Sequence, residues 1–277
     1  MCYTEIKIIV PEAVMKLTTL IENTTCDPAL TKEHGLSLFL ETDFHKILFD
    51  FGQTDALFSN AELLGIDLSK ADLAILSHGH YDHGGGLMTF LEKNRIAPVY
   101  INRHAFGDFY NGTEKYIGLD SGLKNGDRLC FVDDMLEIAP GLTLYSCNER
   151  ISSDSDTGHG LTQKCGGEFT PDRFLHEHYL LIKEKGKKIL ISGCSHKGIA
   201  DIVSWFSPDI LVGGFHLKHL TAEGKDAETL TQLAQKLLAY PTRYYTGHCT
   251  GKEQFAFLKN LMGERLQAIS TGMTVEL

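Results

Sequence analysis

At 277 residues the chain is long enough for one large α/β unit or two smaller halves, and no Pro/Ser-rich or single-charge stretch divides it. A hydrophobic share of 43 % beside 22 % charged residues excludes a disordered chain. The formal net charge of -10 argues against a generic binder of the nucleic-acid backbone, so no nucleic-acid partner is expected.

The first residues, MCYTEIKIIVPEAVMKLTTLIEN, carry Glu5, Lys7, Glu12 and Lys16 and lack a long apolar core, so neither a signal peptide nor a membrane span is expected. VMKLTTLIEN, LSLFLETD and HKILFDFG are short apolar or β-branched runs parted by polar turns, which predicts antiparallel strands. DALFSNAELLGI sets Leu57, Ala61 and Leu64 at helical spacing, with Asp55 near the positive helix end. ADLAILS then predicts a buried strand, GGGLMTFLEKN a helix through Leu87, Phe90 and Leu91, and APVYI another strand. This alternation indicates a layered α/β fold.

From about 102 to 173 the periodicity weakens and Gly, Asp and Asn rise, as in GDFYNGTEKYIGLDSG and SDSDTGHGLTQKCGG. Only RLCFVDD and LTLYSC read as short strands there, so an irregular segment walling the substrate is expected. Afterwards the early pattern returns: HYLLIKEKGKKILISG as a hairpin, GIADIVSWF as a helix, DILVGG as a strand, DAETLTQLAQKLLAY as a helix, TRYYTG as a strand and KEQFAFLKNLMG as a helix. Residues 1–277 are therefore expected to form one domain, two similar half-sheets face to face with helices outside and a groove at the strand ends.

That groove has its chemistry in AILSHGHYDHGGG. His78 and His80 alternate in an extended segment and project to one side, while Asp82 and His83 follow as the chain turns toward a helix. Buried without a cation, these groups would lack partners; divalent metal satisfies them together. Four ligands do not fill two centres, and two further histidines follow strands of the same kind, His196 in ILISGCSHKG and His248 in RYYTGHCTG. The expectation is one centre of His78, His80 and His196 and a second of Asp82, His83 and His248. LVGGFHLKH supplies His216, read as an outer contact or a substrate contact. The cysteines, Cys2, Cys26, Cys130, Cys147, Cys165, Cys194 and Cys249, are an odd set without a CxxC pair, which suggests reduced thiols and a cytoplasmic protein.

SHGHYDHGG resembles the HxHxDH motif of the metallo-β-lactamase superfamily, and Asp50 in ILFDFG resembles that family's structural aspartate. GCSHKG, GGFHL and GHCTG are similar to one subgroup of it, which includes metal-dependent hydrolases and a 7,8-dihydropterin-6-yl-methyl-4-(β-D-ribofuranosyl)aminobenzene 5'-phosphate synthase. The resemblance implies a four-layer αββα sandwich across nearly the whole chain. Two of its features are missing. PDRFLHEHYL stands where the family has a Gly-His-Thr-like turn, and Gly193-Cys194 stands where a Gly-Asp supplies an aspartate bridging both metals. Cys194 is open to two readings, a thiolate in the bridging place or a buried small residue; the second is expected, so that Cys194→Ser keeps its metal. Glu177, between His176 and His178, either orients a ligand, touches the metal or forms a rim salt bridge.

The expected reaction is hydrolysis by metal-activated water, with Asp82 and His196 as the catalytic residues and Asp82 orienting the water. One or two divalent cations are expected, zinc first, with manganese and iron also suited to imidazole. No P-loop or GxGxxG stretch points to a nucleotide. The expected substrate is a phosphate ester or similar phosphorylated small metabolite, its phosphate held by Lys197, Lys218, Thr250 or nearby backbone N–H groups. Lactone or thioester hydrolysis, synthase-like transfer and a non-catalytic metal sensor are the alternatives.

Overall fold

Strands buried on both faces need apolar side chains in both directions, and the short runs of this chain supply them. In the strand Lys46–Phe49, Ile47 and Phe49 point to one hydrophobic cluster and Leu48 to another. The next strand, Leu73–Leu76, repeats the alternation, with Leu73 and Ile75 in the first cluster and Ala74 and Leu76 in the second. In Lys187–Ile191 the pattern recurs: Ile189 and Ile191 face the shared cluster and Leu190 faces a third. The computed structural model describes residues 15–150 and 159–277 and realises this pattern as four layers.

Two seven-stranded sheets pack face to face. The first runs Thr274–Glu276, Lys16–Ile21, Ser37–Glu41, Lys46–Phe49, Leu73–Leu76, Val99–Asn102 and Leu129–Val132, antiparallel up to Lys46–Phe49 and parallel after it. The second runs Leu266–Ala268, Arg243–Thr246, Ile210–Val212, Lys187–Ile191, Tyr179–Glu184, Leu142–Tyr145 and Met135–Ala139; its parallel portion reaches from Leu266–Ala268 to Lys187–Ile191. Leu38, Phe49 and Ile75 meet Leu144, Leu180 and Ile191 between the sheets. Ala56–Leu63 and Leu87–Lys93 cover the outside of the first, and Ile199–Phe206, Gly224–Leu238 and Lys252–Met262 the outside of the second. This is an αββα sandwich.

Parallel neighbours require crossovers, so the loops leaving the parallel strands emerge at one end of each sheet. Asp50, His78, Cys194, His196, His216 and His248 all follow such strands within a few residues. The expected irregular wall differs from what forms. Between 102 and 173, Leu129–Val132 joins the first sheet and Met135–Ala139 with Leu142–Tyr145 the second, while Glu168–Pro171, Leu161–Cys165, Phe109–Asn111 and Lys115–Tyr116 make a four-stranded sheet of their own. Those strands are short, and Lys115–Tyr116 is exposed on both residues, so neither alternation nor apolar content announces them. Residues 1–14 and 151–158, with Cys2, Glu5, Lys7 and Glu12 of the segment read for a signal peptide, lie outside the described residues. Among the described residues no helix is long and apolar enough to cross a membrane.

Candidate metal centre

Asp50 organises the first half of the site. It ends its strand at φ 61°, a left-handed conformation that aspartate tolerates better than most side chains. Its Oδ1 accepts the Ser77 N–H at 2.7 Å, and its Oδ2 accepts the Ser77 hydroxyl at 2.8 Å and His83 Nδ1–H at 2.7 Å. The hydroxyl of Ser77 has one hydrogen, given to Asp50, so His78 Nδ1–H must donate to Ser77 Oγ across their 2.8 Å contact. One buried carboxylate therefore fixes two tautomers, leaving the Nε2 lone pairs of His78 and His83 free for the groove. The short helix Tyr81–Gly84 starts after His80 and carries Asp82 and His83 inward. Behind them, Gly79 N–H donates to His176 Nδ1 at 2.9 Å, so His176 Nε2–H donates to Asp172 Oδ2 at 3.0 Å.

Glu177 organises the second half. The buried carboxylate accepts His196 N–H at 2.7 Å on Oε1, and Lys197 N–H at 3.2 Å and the Tyr179 hydroxyl at 2.6 Å on Oε2. Of the open readings for Glu177, the orienting one matches these contacts, since both oxygens are committed to the loop that carries His196. His196 also stacks on Phe174, with ring centroids 4.3 Å apart and planes 7° apart. His248 sits at φ 52°; its N–H donates to Glu22 Oε1 at 2.6 Å and its Nδ1–H to Asn23 Oδ1 at 2.9 Å. Its Nε2 lone pair is thereby turned toward the groove. Replacing Glu177 by alanine orphans three buried donors and frees the His196 loop, so zinc affinity measured by calorimetric titration is expected to fall about 10–100-fold.

The donors converge. Ligand atoms of His78, His80 and His196 lie within 4.8 Å of one another, with His78 and His196 Nε2 atoms 3.3 Å apart. On the other side, His248 Nε2 is 3.3 Å from Asp82 Oδ2 and 3.2 Å from His83 Nε2, and His83 Nε2 is 4.0 Å from Asp82 Oδ2. Both expected triads are thus brought together, at the ends of facing sheets. Cys194 stands beside them, its Sγ 3.2 Å from His83 Nε2.

These residues fit a metal. His83 and His248 each spend Nδ1–H elsewhere, and two Nε2 lone pairs cannot face each other at 3.2 Å without a cation between them, either a proton or a metal ion. His80 Nε2 is buried and has no partner. Burial first, then the surrounding imidazoles, hold His78 and His196 well below the usual histidine range, and burial with the His176 imidazole takes His80 to about 3. Neutral imidazole is the form that binds metal. For His83 burial opposes the charge, but the Asp50 and Asp82 carboxylates outweigh it and lift the group to about 9. Burial would likewise raise Asp82, yet His83 and His248 draw it well below the usual carboxylate range.

Above the donors opens a cavity of about 400 Å³, reached by Asn111 and Leu161 of the small sheet and by Lys115 and Lys218. His34 also lines it, half-exposed, with Nε2 3.2 Å from Asp82 Oδ2; burial and the neighbouring His248 take it down to about 4. His216 lies at the cavity wall, its ring 4.2 Å from that of His196. Two expected phosphate contacts are corrected. Lys197 is buried, its Nζ donating to Ser146 O at 2.6 Å and Asn148 Oδ1 at 2.7 Å, and the Thr250 hydroxyl is buried between Phe215 N–H at 2.9 Å and Thr246 Oγ1 at 2.6 Å. Neither faces the cavity, whereas Lys218 does. Sequence reasoning missed His34, Glu22, Asn23 and the His176–Asp172 pair; the abrupt Glu-Asn after the apolar KLTTLI was the available signal for two of them.

The model of the metallo-β-lactamase superfamily matches residues 30–231, and the chain belongs to that superfamily. Together with the clustered donors, this supports a metal-dependent hydrolase. Among its relatives, the 7,8-dihydropterin-6-methyl-4-(beta-D-ribofuranosyl)-aminobenzene-5'-phosphate synthase of Methanocaldococcus jannaschii is 28% identical over 263 residues, covering 85% of this chain and 88% of that one. The solved structure of Tm1679, a metal-dependent hydrolase of the β-lactamase superfamily, has a TM-score of 0.75 at 25% identity and covers 95% of this chain and 99% of its own. Zinc-bound PqqB from Methylobacterium extorquens shares the fold, with a TM-score of 0.56 at 12% identity, covering 95% of this chain and 100% of its own.

Proposed function

We propose that this chain hydrolyses phosphate esters of small metabolites, with His78, His80 and His196 holding one divalent cation and Asp82, His83 and His248 a second. The observation that carries the substrate class is the charge around the cavity. Asp82 is the only carboxylate lining it among the described residues, and Lys115 and Lys218 stand around it, on a chain whose net charge is -10. A cationic mouth on an acidic protein favours an anionic substrate. Mixed nitrogen and oxygen donors suit zinc first, then manganese or iron. Cytoplasmic residence is part of the same reading, supported by the free thiols of Cys26, Cys130, Cys147, Cys165, Cys194 and Cys249.

When bound, divalent cations acidify water and stabilise the negative charge that develops on the ester. The protein's own part is placement. Asp82 orients the attacking water, Lys218 and Lys115 draw the phosphate to the mouth, and the small sheet narrows its approach. His196, anchored through Glu177, keeps its imidazole against His78. The full chain loaded with zinc is expected to hydrolyse p-nitrophenyl phosphate or its bis ester, to lose that activity on chelation and to regain it with zinc. Lys218→Ala is expected to raise KM about tenfold, roughly 1.4 kcal/mol of charge-assisted binding, with kcat little changed. Turnover of lactones or thioesters alone refutes the phosphate reading, and metal uptake with no turnover of any class favours a sensor.

Likeness to the synthase favours a second reading, in which an organic acceptor takes the place of water. A neighbouring cavity of about 250 Å³, sharing His196 and His216 and walled by Phe215, Leu217 and Leu233, offers room for one. Mass spectrometry of the products separates hydrolysis from transfer.

A further inference from the structure

Cys194 is drawn into more donor sets than the two-triad reading uses. Its Sγ lies within 4.8 Å of ligand atoms of His78 and His83, of His196 and His216, and of His248 and Cys249. Members of both triads are in that company, His78 and His196 from one, His83 and His248 from the other. The side chain is buried, Ser192 and Ser195 tie the turn around it through a 2.8 Å hydroxyl contact, and Sγ stands 3.2 Å from the Nε2 of His83. Nearby, His80 Nε2 is buried with no partner, an independent sign that a cation belongs among these groups.

We infer that Cys194 is a shared thiolate donor, joining the two cation positions through one sulfur. The inference rests on the two-cation reading above. A thiolate sulfur has lone pairs enough for two cations, and it adds a fourth protein donor to each triad without crowding the cavity side. On binding, the S–H bond breaks with its electron pair left on sulfur, the proton passes to solvent, and two sulfur–metal contacts form; nothing is oxidised or reduced. Cys249 is the competing sulfur. Its Sγ accepts His216 N–H at 3.3 Å, lies 3.6 Å from Cys194 O and shares a donor set with Cys194 and His248. That set brings it to His248 of the second triad, whereas the sets that hold Cys194 include members of both triads.

The test begins with the full chain stripped and reloaded with cobalt(II). A near-ultraviolet sulfur-to-cobalt charge-transfer band is expected in the wild type and in Cys249→Ser, and its loss is expected in Cys194→Ser. X-ray absorption of the zinc-loaded wild type needs no variant: a shared sulfur gives each zinc one sulfur neighbour at about 2.3 Å, whereas a sulfur on one zinc gives an average of one half. Cobalt bound without a sulfur band, a band that follows Cys249, or half a sulfur per zinc overturns the shared thiolate and leaves the two-cation reading standing. A wild type that takes up no cobalt overturns both.

Discussion

Replacing Asp82 with alanine is expected to lower turnover about a thousandfold under saturating zinc while leaving the fold intact. The carboxylate sits at the cavity floor, 3.3 Å from His248 Nε2 and 3.2 Å from His34 Nε2, so it touches both the second donor set and the space a substrate enters. A group there acts on the developing charge of the reaction. Its structural obligations are small by comparison: the side chain bonds imidazoles, whereas the chain at this point is held by its backbone carbonyl, which accepts Leu36 N–H at 3.3 Å and needs no carboxylate. The large clusters on either side of the sheets do not include it. Rates should therefore collapse while circular dichroism and the thermal midpoint stay near wild type. Near-normal turnover in the alanine variant removes Asp82 from the mechanism.

What could be read in the sequence was whatever local pattern carries. The three histidines and the aspartate of SHGHYDHGG advertise themselves because strand end, ligand spacing and glycines are all contiguous, and His196 and His248 are legible by repeating the same strand-end context. Glu22 is different. Its role is to accept His248 N–H from 226 positions away, and only the closing of one sheet against the other creates that contact. His34 and the Asp172–His176 pair have the same character, being single polar residues whose partners are set by tertiary folding. Lys197 misled for a related reason: proximity to His196 in sequence suggested a substrate contact, but the amino group turns inward to Ser146 and Asn148. Cys194 shows the limit most clearly. Strand alternation gives the direction of a side chain but not the distance to groups on another sheet, so the 3.2 Å approach of Cys194 to His83, on which the shared-thiolate inference draws, could not be read from it. In the fold, Leu266–Ala268 and Thr274–Glu276 are each too short to show a period, although Thr274–Glu276 completes the first sheet by pairing with Lys16–Ile21.

The largest loss of stability from a single site substitution is expected at Asp50, because its carboxylate serves the fold and the metal together. Asp50→Ala leaves Ser77 N–H and His83 Nδ1–H without acceptors in a fully buried place, releases the Ser77 hydroxyl, and asks alanine to hold φ 61°. Removing one partner from such a buried charged network costs about 3–5 kcal/mol, which for a chain of this size lowers the thermal midpoint by roughly 10 °C. Metal affinity should fall as well, since the proton on Ser77 no longer has a fixed recipient and neither His78 nor His83 is held with Nε2 free. Asp50→Asn separates the two effects. Asparagine tolerates the left-handed backbone and keeps the volume, but its amide has one acceptor oxygen where three donors converge, so folding should recover more than zinc binding does. Thermal unfolding with and without zinc, beside calorimetric zinc titration, measures both. If Asp50→Asn binds zinc as tightly as wild type, tautomer control by this carboxylate is not what prepares the site; if Asp50→Ala melts with wild type, the network around Ser77 does not support the fold as its geometry implies.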